Sequence, residues 1–94
     1  MNSHPHFQIK RRPDVLNQFG YSRSVFYERI SSGLMPPPIS LGSRAVGYLA
    51  HELDAVLSYM VAGKDNKEIK TLIKRLLNDR KNALTTSGGD DYEQ

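Results

Sequence analysis

The 94-residue chain contains no cysteine. That excludes disulfide staples and thiolate metal sites, and small secreted domains usually depend on such staples, so an intracellular protein is expected. No apolar run approaches membrane-spanning length, and the N-terminus carries no apolar signal-peptide core. Hydrophobic residues make up 38% of the chain, which fits a single domain with a small core. The catalytic vocabulary is thin as well. There is no thiol nucleophile and no glycine-rich phosphate loop, and the only histidines are His4, His6 and His51. Enzyme chemistry has no foothold in such a set. His4 and His6 form half of a metal site at most, because no third or fourth ligand is evident, so neither a metal nor a cofactor is expected.

What the chain does have is positive charge, unevenly placed. Its formal net charge is +3. Residues 1–44 carry six cationic side chains (Lys10, Arg11, Arg12, Arg23, Arg29, Arg44) against Asp14 and Glu28, a surplus of four. Residues 83–94 carry Asp90, Asp91 and Glu93 and no base. A basic front half makes a polyanion such as nucleic acid a natural partner, with a plain solvated surface as the alternative.

Pattern and punctuation divide the chain into four helices and a hairpin. Pro13 suits a first helical turn, where its missing N–H is no loss, and Gly20 suits the left-handed residue that ends a helix. Val15, Leu16 and Phe19 give that helix one apolar side. Ser22 is a good N-cap for a second helix ending at Gly33. Phe26 and Ile30, four apart, point into the core, with Val25 as a candidate third member. Two short helices joined through a glycine turn have the outline of a helix-turn-helix. Pro36, Pro37 and Pro38 cannot be helical. After them, residues 39–41 and 45–49 read as two strands joined by Gly42, Ser43 and Arg44, a hairpin with a basic tip. A third helix is expected over about residues 50–62, with Leu53, Val56, Leu57 and Met60 on one face. Asp65 and Glu68 have the spacing of a capping box at the start of a fourth. Ile69, Leu72, Ile73, Leu76 and Leu77 then form one apolar stripe, which needs a cover. The expected organisation is a flexible tail (1–8), a DNA-binding unit (9–63), an added amphipathic helix (64–82) and an acidic, disordered tail (83–94).

The ordered residues of this layout resemble a known family. The stretch FGYSRSVFYERISSGLMPPPISLGSRAVGYLAHELDAVL is similar to the AlpA family of phage and mobile-element regulators. The matching positions are Gly20, Ser22, Arg23, Ser24, Tyr27, Gly33, Pro36, Pro38, Leu41, Gly42, Arg44, Val46 and Gly47, and the resemblance covers about residues 8–60. Tyr48 and Leu57 stand where the family usually has tryptophan, and Met35 where it has phenylalanine. The resemblance implies a mainly α fold with a small β-hairpin wing, a MerR-like winged helix-turn-helix, to which this chain adds a C-terminal helix. It also implies a cytoplasmic, bacterial or phage-encoded protein that binds double-stranded DNA as a transcriptional regulator. Two alternatives remain open: an excisionase that bends DNA for an integrase, or a module that binds a regulator or a recombinase.

Residue chemistry supplies a candidate interface. The N-terminal part of the second helix of a helix-turn-helix meets base edges, which places Arg23 where its fork can bridge O6 and N7 of a guanine. Ser22 and Ser24 are short enough to let backbone amides approach a phosphate at a helix N-terminus. Tyr27, a turn later, is a contact for a phosphate or a thymine methyl, or else a cover for the core. Lys10, Arg11 and Arg12 are candidates for phosphate neutralisation. Arg44 at the hairpin tip suits a narrow minor groove. Tyr21 and Ser43, which flank these positions, complete the set. The 69–77 stripe has two candidate covers: the chain's own core, or a second subunit in a homodimer or cooperative assembly on DNA.

Overall fold

The computed structural model describes residues 7–87, with side chains described through residue 83. In chain order the elements are β1 (Ile9–Lys10), α1 (Arg12–Phe19), α2 (Arg23–Ser31), β2 (Ile39–Gly42), β3 (Ala45–Leu49), α3 (Ala50–Val61) and α4 (Asn66–Ser87). The protein is mainly helical, with a small antiparallel sheet, as a winged helix requires.

Local chemistry explains most of the boundaries. Arg12 rather than Pro13 is the first helical residue of α1, which leaves the proline within the first turn. Gly20 closes the helix at φ 70°, a left-handed conformation that would strain a side-chain-bearing residue, and its N–H donates to the Leu16 carbonyl. Ser22 caps α2 by accepting from the Val25 N–H at 3.2 Å. At the start of α4 the pairing is reciprocal: the Glu68 N–H donates to Asp65 Oδ1 at 2.9 Å and the Asp65 N–H donates to Glu68 Oε1 at 3.1 Å. That is the capping box. The helix runs on to Ser87, past the expected end at 82, because no breaker precedes Gly88. Residues 88–94, with the three tail acids, lie outside the described residues, as do His4 and His6.

The hairpin acquires a third strand that the sequence did not announce. The sheet order is β1-β3-β2, with Ile9 opposite Leu49, Lys10 opposite Tyr48 and Ile39 opposite Gly47. β1 also repairs a weak point. α3 begins straight after β3 and has no capping side chain, but the Ala50 N–H donates to the Gln8 carbonyl at 2.9 Å. Gly47 is required by closeness: a Cβ there would overlap the Cγ2 methyl of Ile9 and lie 2.9 Å from Leu41 Cδ1.

One core serves all the elements. Val15, Phe26, Met35, Leu53 and Val56 are fully buried, and Ile69, Leu72, Ile73 and Leu76 of α4 join the same cluster. The 69–77 stripe is therefore covered by the chain itself. Tyr48, at a usual tryptophan position of the resemblance, is buried edge-on to Phe26 with ring centroids 5.2 Å apart. Ile30 packs against the cluster, but Val25 does not join it and stays 44% exposed. Its position beside Phe26 turns it 100° away from the core face.

Candidate nucleic-acid interface

Alternation along β3 sets the floor of the site. Residues two apart in a strand share a face, so Tyr48, Val46 and the preceding Arg44 look towards α1 and α2, while Leu49 and Gly47 look away. Tyr48 and Val46 line a cleft of about 430 Å³, completed by Arg11, Arg12 and Pro13 from the start of α1, Tyr27 from α2 and Arg44 from the wing. Three guanidinium groups from two separate parts of the chain, the Arg11–Arg12 pair and Arg44, thus meet in one concavity with no carboxylate among its lining residues. Arg12 Nη1 donates to the Tyr27 hydroxyl at 2.9 Å and ties α1 to α2. Burial, reinforced by nearby Tyr27 and partly offset by Arg12, holds the Tyr48 hydroxyl above its ordinary pKa, so it stays protonated at neutral pH.

The other candidates do not line this cleft. Arg23 and Ser24 are exposed at the N-terminus of α2, and Arg23 lies one turn before Tyr27 on the same helical face. Ser22 is occupied as the cap. Ser43 is exposed in the wing turn beside Arg44, whose φ of 61° makes it the one non-glycine residue with left-handed backbone among those described. Lys10 does not line the cleft: its Nζ donates to Gln18 Oε1 at 2.7 Å, and Gln18 Nε2 in turn donates to Asp54 Oδ1 at 3.1 Å. Tyr21 is half-buried, stacked against Phe19 at 5.5 Å, with its hydroxyl 3.9 Å from Met60 Sδ. The Arg29 guanidinium lies over the Tyr21 ring at 5.5 Å, which makes position 29 a packing position.

Three lining residues, Pro13, Val46 and Tyr48, were absent from the sequence-derived set. The alternation from Arg44 to Tyr48 was the signal that could have found two of them. Pro13 reads in the sequence as a helix-starting residue alone.

A family model described as "Prophage CP4-57 regulatory protein (AlpA)" matches residues 8–58. This chain belongs to the AlpA family. Every residue of the cleft falls inside the matched span, whereas α4 begins beyond it. The chain is also similar to "Uncharacterized protein ORF88" of Enterobacteria phage P4, with 41% identity over 54 residues. That alignment takes in 57% of this chain and 61% of the phage protein, so the chain spans less than two thirds of that relative's length. No solved structure matches the chain. The AlpA-family chain is therefore of a prophage regulatory family. No helix among its described residues is long and apolar enough to cross a membrane.

Proposed function

We propose that this AlpA-family protein is a sequence-specific regulator that binds double-stranded DNA, with α2 in the major groove and the β2–β3 wing against the minor groove, and that it catalyses no reaction. The convergence of Arg11, Arg12 and Arg44 in a carboxylate-free cleft carries the reading. Guanidinium groups gathered without counter-charges repel one another, and a phosphate backbone relieves that repulsion. The cleft is also shaped for it, with the wing as one wall and the exposed face of α2 as the other. Arg23 and Ser24 then reach past the backbone towards base edges, as a recognition helix does.

If Arg11, Arg12 and Arg44 each neutralise one phosphate, the logarithmic salt slope is about −2.7, a loss of roughly fortyfold in affinity between 50 and 200 mM salt. The decisive measurement compares Arg23→Ala with the native protein on specific and random duplexes. A two-point guanine contact is worth about 1–3 kcal/mol of discrimination, so the variant should lose about 5–150-fold on the specific duplex and little on the random one. Equal losses on both would reduce Arg23 to a phosphate contact. No salt dependence at all would remove DNA as the partner.

A further inference from the structure

Arg80 lies on α4, beyond the family-matched residues, yet it reaches back into the winged unit. Its Nε donates to Glu52 Oε2 at 2.7 Å and its Nη2 to Glu52 Oε1 at 2.6 Å, gripping a carboxylate that is fully buried. Nη2 also donates to the Pro37 carbonyl at 2.7 Å. One guanidinium thus ties together three segments: α3 through Glu52, α4 through its own backbone, and the proline run.

The proline contact is the informative one. Pro36, Pro37 and Pro38 have no backbone N–H, so hydrogen bonds can hold this segment only through its carbonyls. The segment runs straight into β2, the outer strand of the wing, whose far end carries Arg44. A buried ion pair by itself argues little, since well-packed apolar residues often replace one without loss. An apolar pair could not reproduce the bond to Pro37. A lysine could not either while also serving both carboxylate oxygens, because an ammonium lacks the planar fork.

We propose that Arg80 is a positioning residue for DNA binding: it clamps the root of the wing to α3 and α4 and thereby fixes where Arg44 meets the minor groove. The proposal rests on the DNA-binding reading above. It gives α4 a role in recognition without any DNA contact of its own.

The test uses the full chain in two altered backgrounds, Arg80→Lys and the volume-conserving pair Glu52→Leu with Arg80→Met, each checked for fold by circular dichroism. The second avoids a stranded buried carboxylate and keeps the test available if the first fails to fold. Amide hydrogen exchange in the free protein should quicken at least fivefold across residues 40–48 and stay unchanged in α1 and α2. On a specific duplex in 0.1 M salt, Arg44→Ala should cost about eightfold in the native background, the factor one phosphate contact contributes relative to 1 M salt. In either altered background it should cost twofold or less. Equal cost of Arg44→Ala in all backgrounds would overturn the proposal, as would exchange that quickens uniformly along the chain. If Arg44→Ala has no effect even in the native background, the wing-to-DNA reading fails instead, and the exchange result still decides whether Arg80 holds the wing.

Discussion

Position 44 offers a substitution that should move stability and affinity in opposite directions. Arg44 has a φ of 61° at the tip of the β2–β3 turn. Left-handed backbone costs a residue with a Cβ roughly 1–2 kcal/mol. Glycine removes that cost and adds back about 0.4–1 kcal/mol through the larger entropy of its unfolded chain. Arg44→Gly should therefore be as stable as the native protein or up to about 1.6 kcal/mol more so. Arg44→Ala keeps the strain, so the glycine variant should exceed the alanine variant by about 1 kcal/mol, the reverse of the ordinary ranking in regular structure. For a domain of this size that difference is about 4–8 °C in Tm. Among the described residues Arg44 has no ion pair to lose, since the ion pairs there are Lys64–Glu68 and Arg80–Glu52.

Binding should respond differently. Both variants remove one guanidinium from the cleft, so both should lower the salt slope by about 0.9, equivalent to about eightfold in affinity between 1 M and 0.1 M salt. Thermal melts and fluorescence anisotropy across a salt series give the two quantities independently. An alanine variant as stable as the glycine one would refute the backbone argument. Unchanged affinity and slope in both would place the wing off the DNA. Much weaker binding by glycine than by alanine would mean that tip rigidity, not charge, is what matters.

Two further outcomes follow from the sheet. Gly47→Ala should destabilise the fold by about 1–3 kcal/mol, because its Cβ has no room beside Ile9 and Leu41, and Ile9→Ala in the same chain should recover part of that in denaturant unfolding. Raising the pH should weaken the fold through Tyr48, whose pKa in the folded protein is raised above 10.0. Near pH 10 the unfolded chain gives up this proton while the native one keeps it, so stability is full below that pH and falls as pH climbs towards the folded value; Tyr48→Phe should flatten the loss in urea midpoints measured from pH 9 to 11.

Features written within a few residues were legible, and features closed across the chain were not. The Ser22 cap and the Asp65–Glu68 box each need only a three-residue spacing, so sequence found both. The glycine-punctuated helices and the proline-led hairpin were visible for the same reason. β1 was invisible because two residues carry no periodicity and their partners, Tyr48 and Leu49, lie far along the chain. The Arg80–Glu52 pair spans 28 positions and looks in sequence like two ordinary surface charges. The candidate interface shows the same division. Its cations were identifiable as a basic half, but the bond between Arg12 and Tyr27 depends on how α1 crosses α2. Lys10 reads by charge like its neighbours, whereas its ammonium is held by Gln18 and does not line the cleft.

The exposed polar face of α2 has a structural cost, and α4 is where it is met. α2 commits one fully buried side chain to the core, Phe26, and leaves Arg23, Ser24, Val25 and Tyr27 outside. α1 contributes a single buried residue, Val15. Two helices that bury one side chain each cannot between them enclose a core, and small domains have little burial to spare. The deficit is made up from the far side, where α3 supplies Leu53 and Val56 and α4 supplies Ile69, Leu72, Ile73 and Leu76. At about 1.5–3 kcal/mol for each large apolar side chain taken out of water, those four from α4 contribute on the order of 6–12 kcal/mol before ordering entropy is subtracted. That gross gain is comparable to the whole net stability of a typical domain. The helix beyond the family-matched span thus lets the matched span keep its polar face polar.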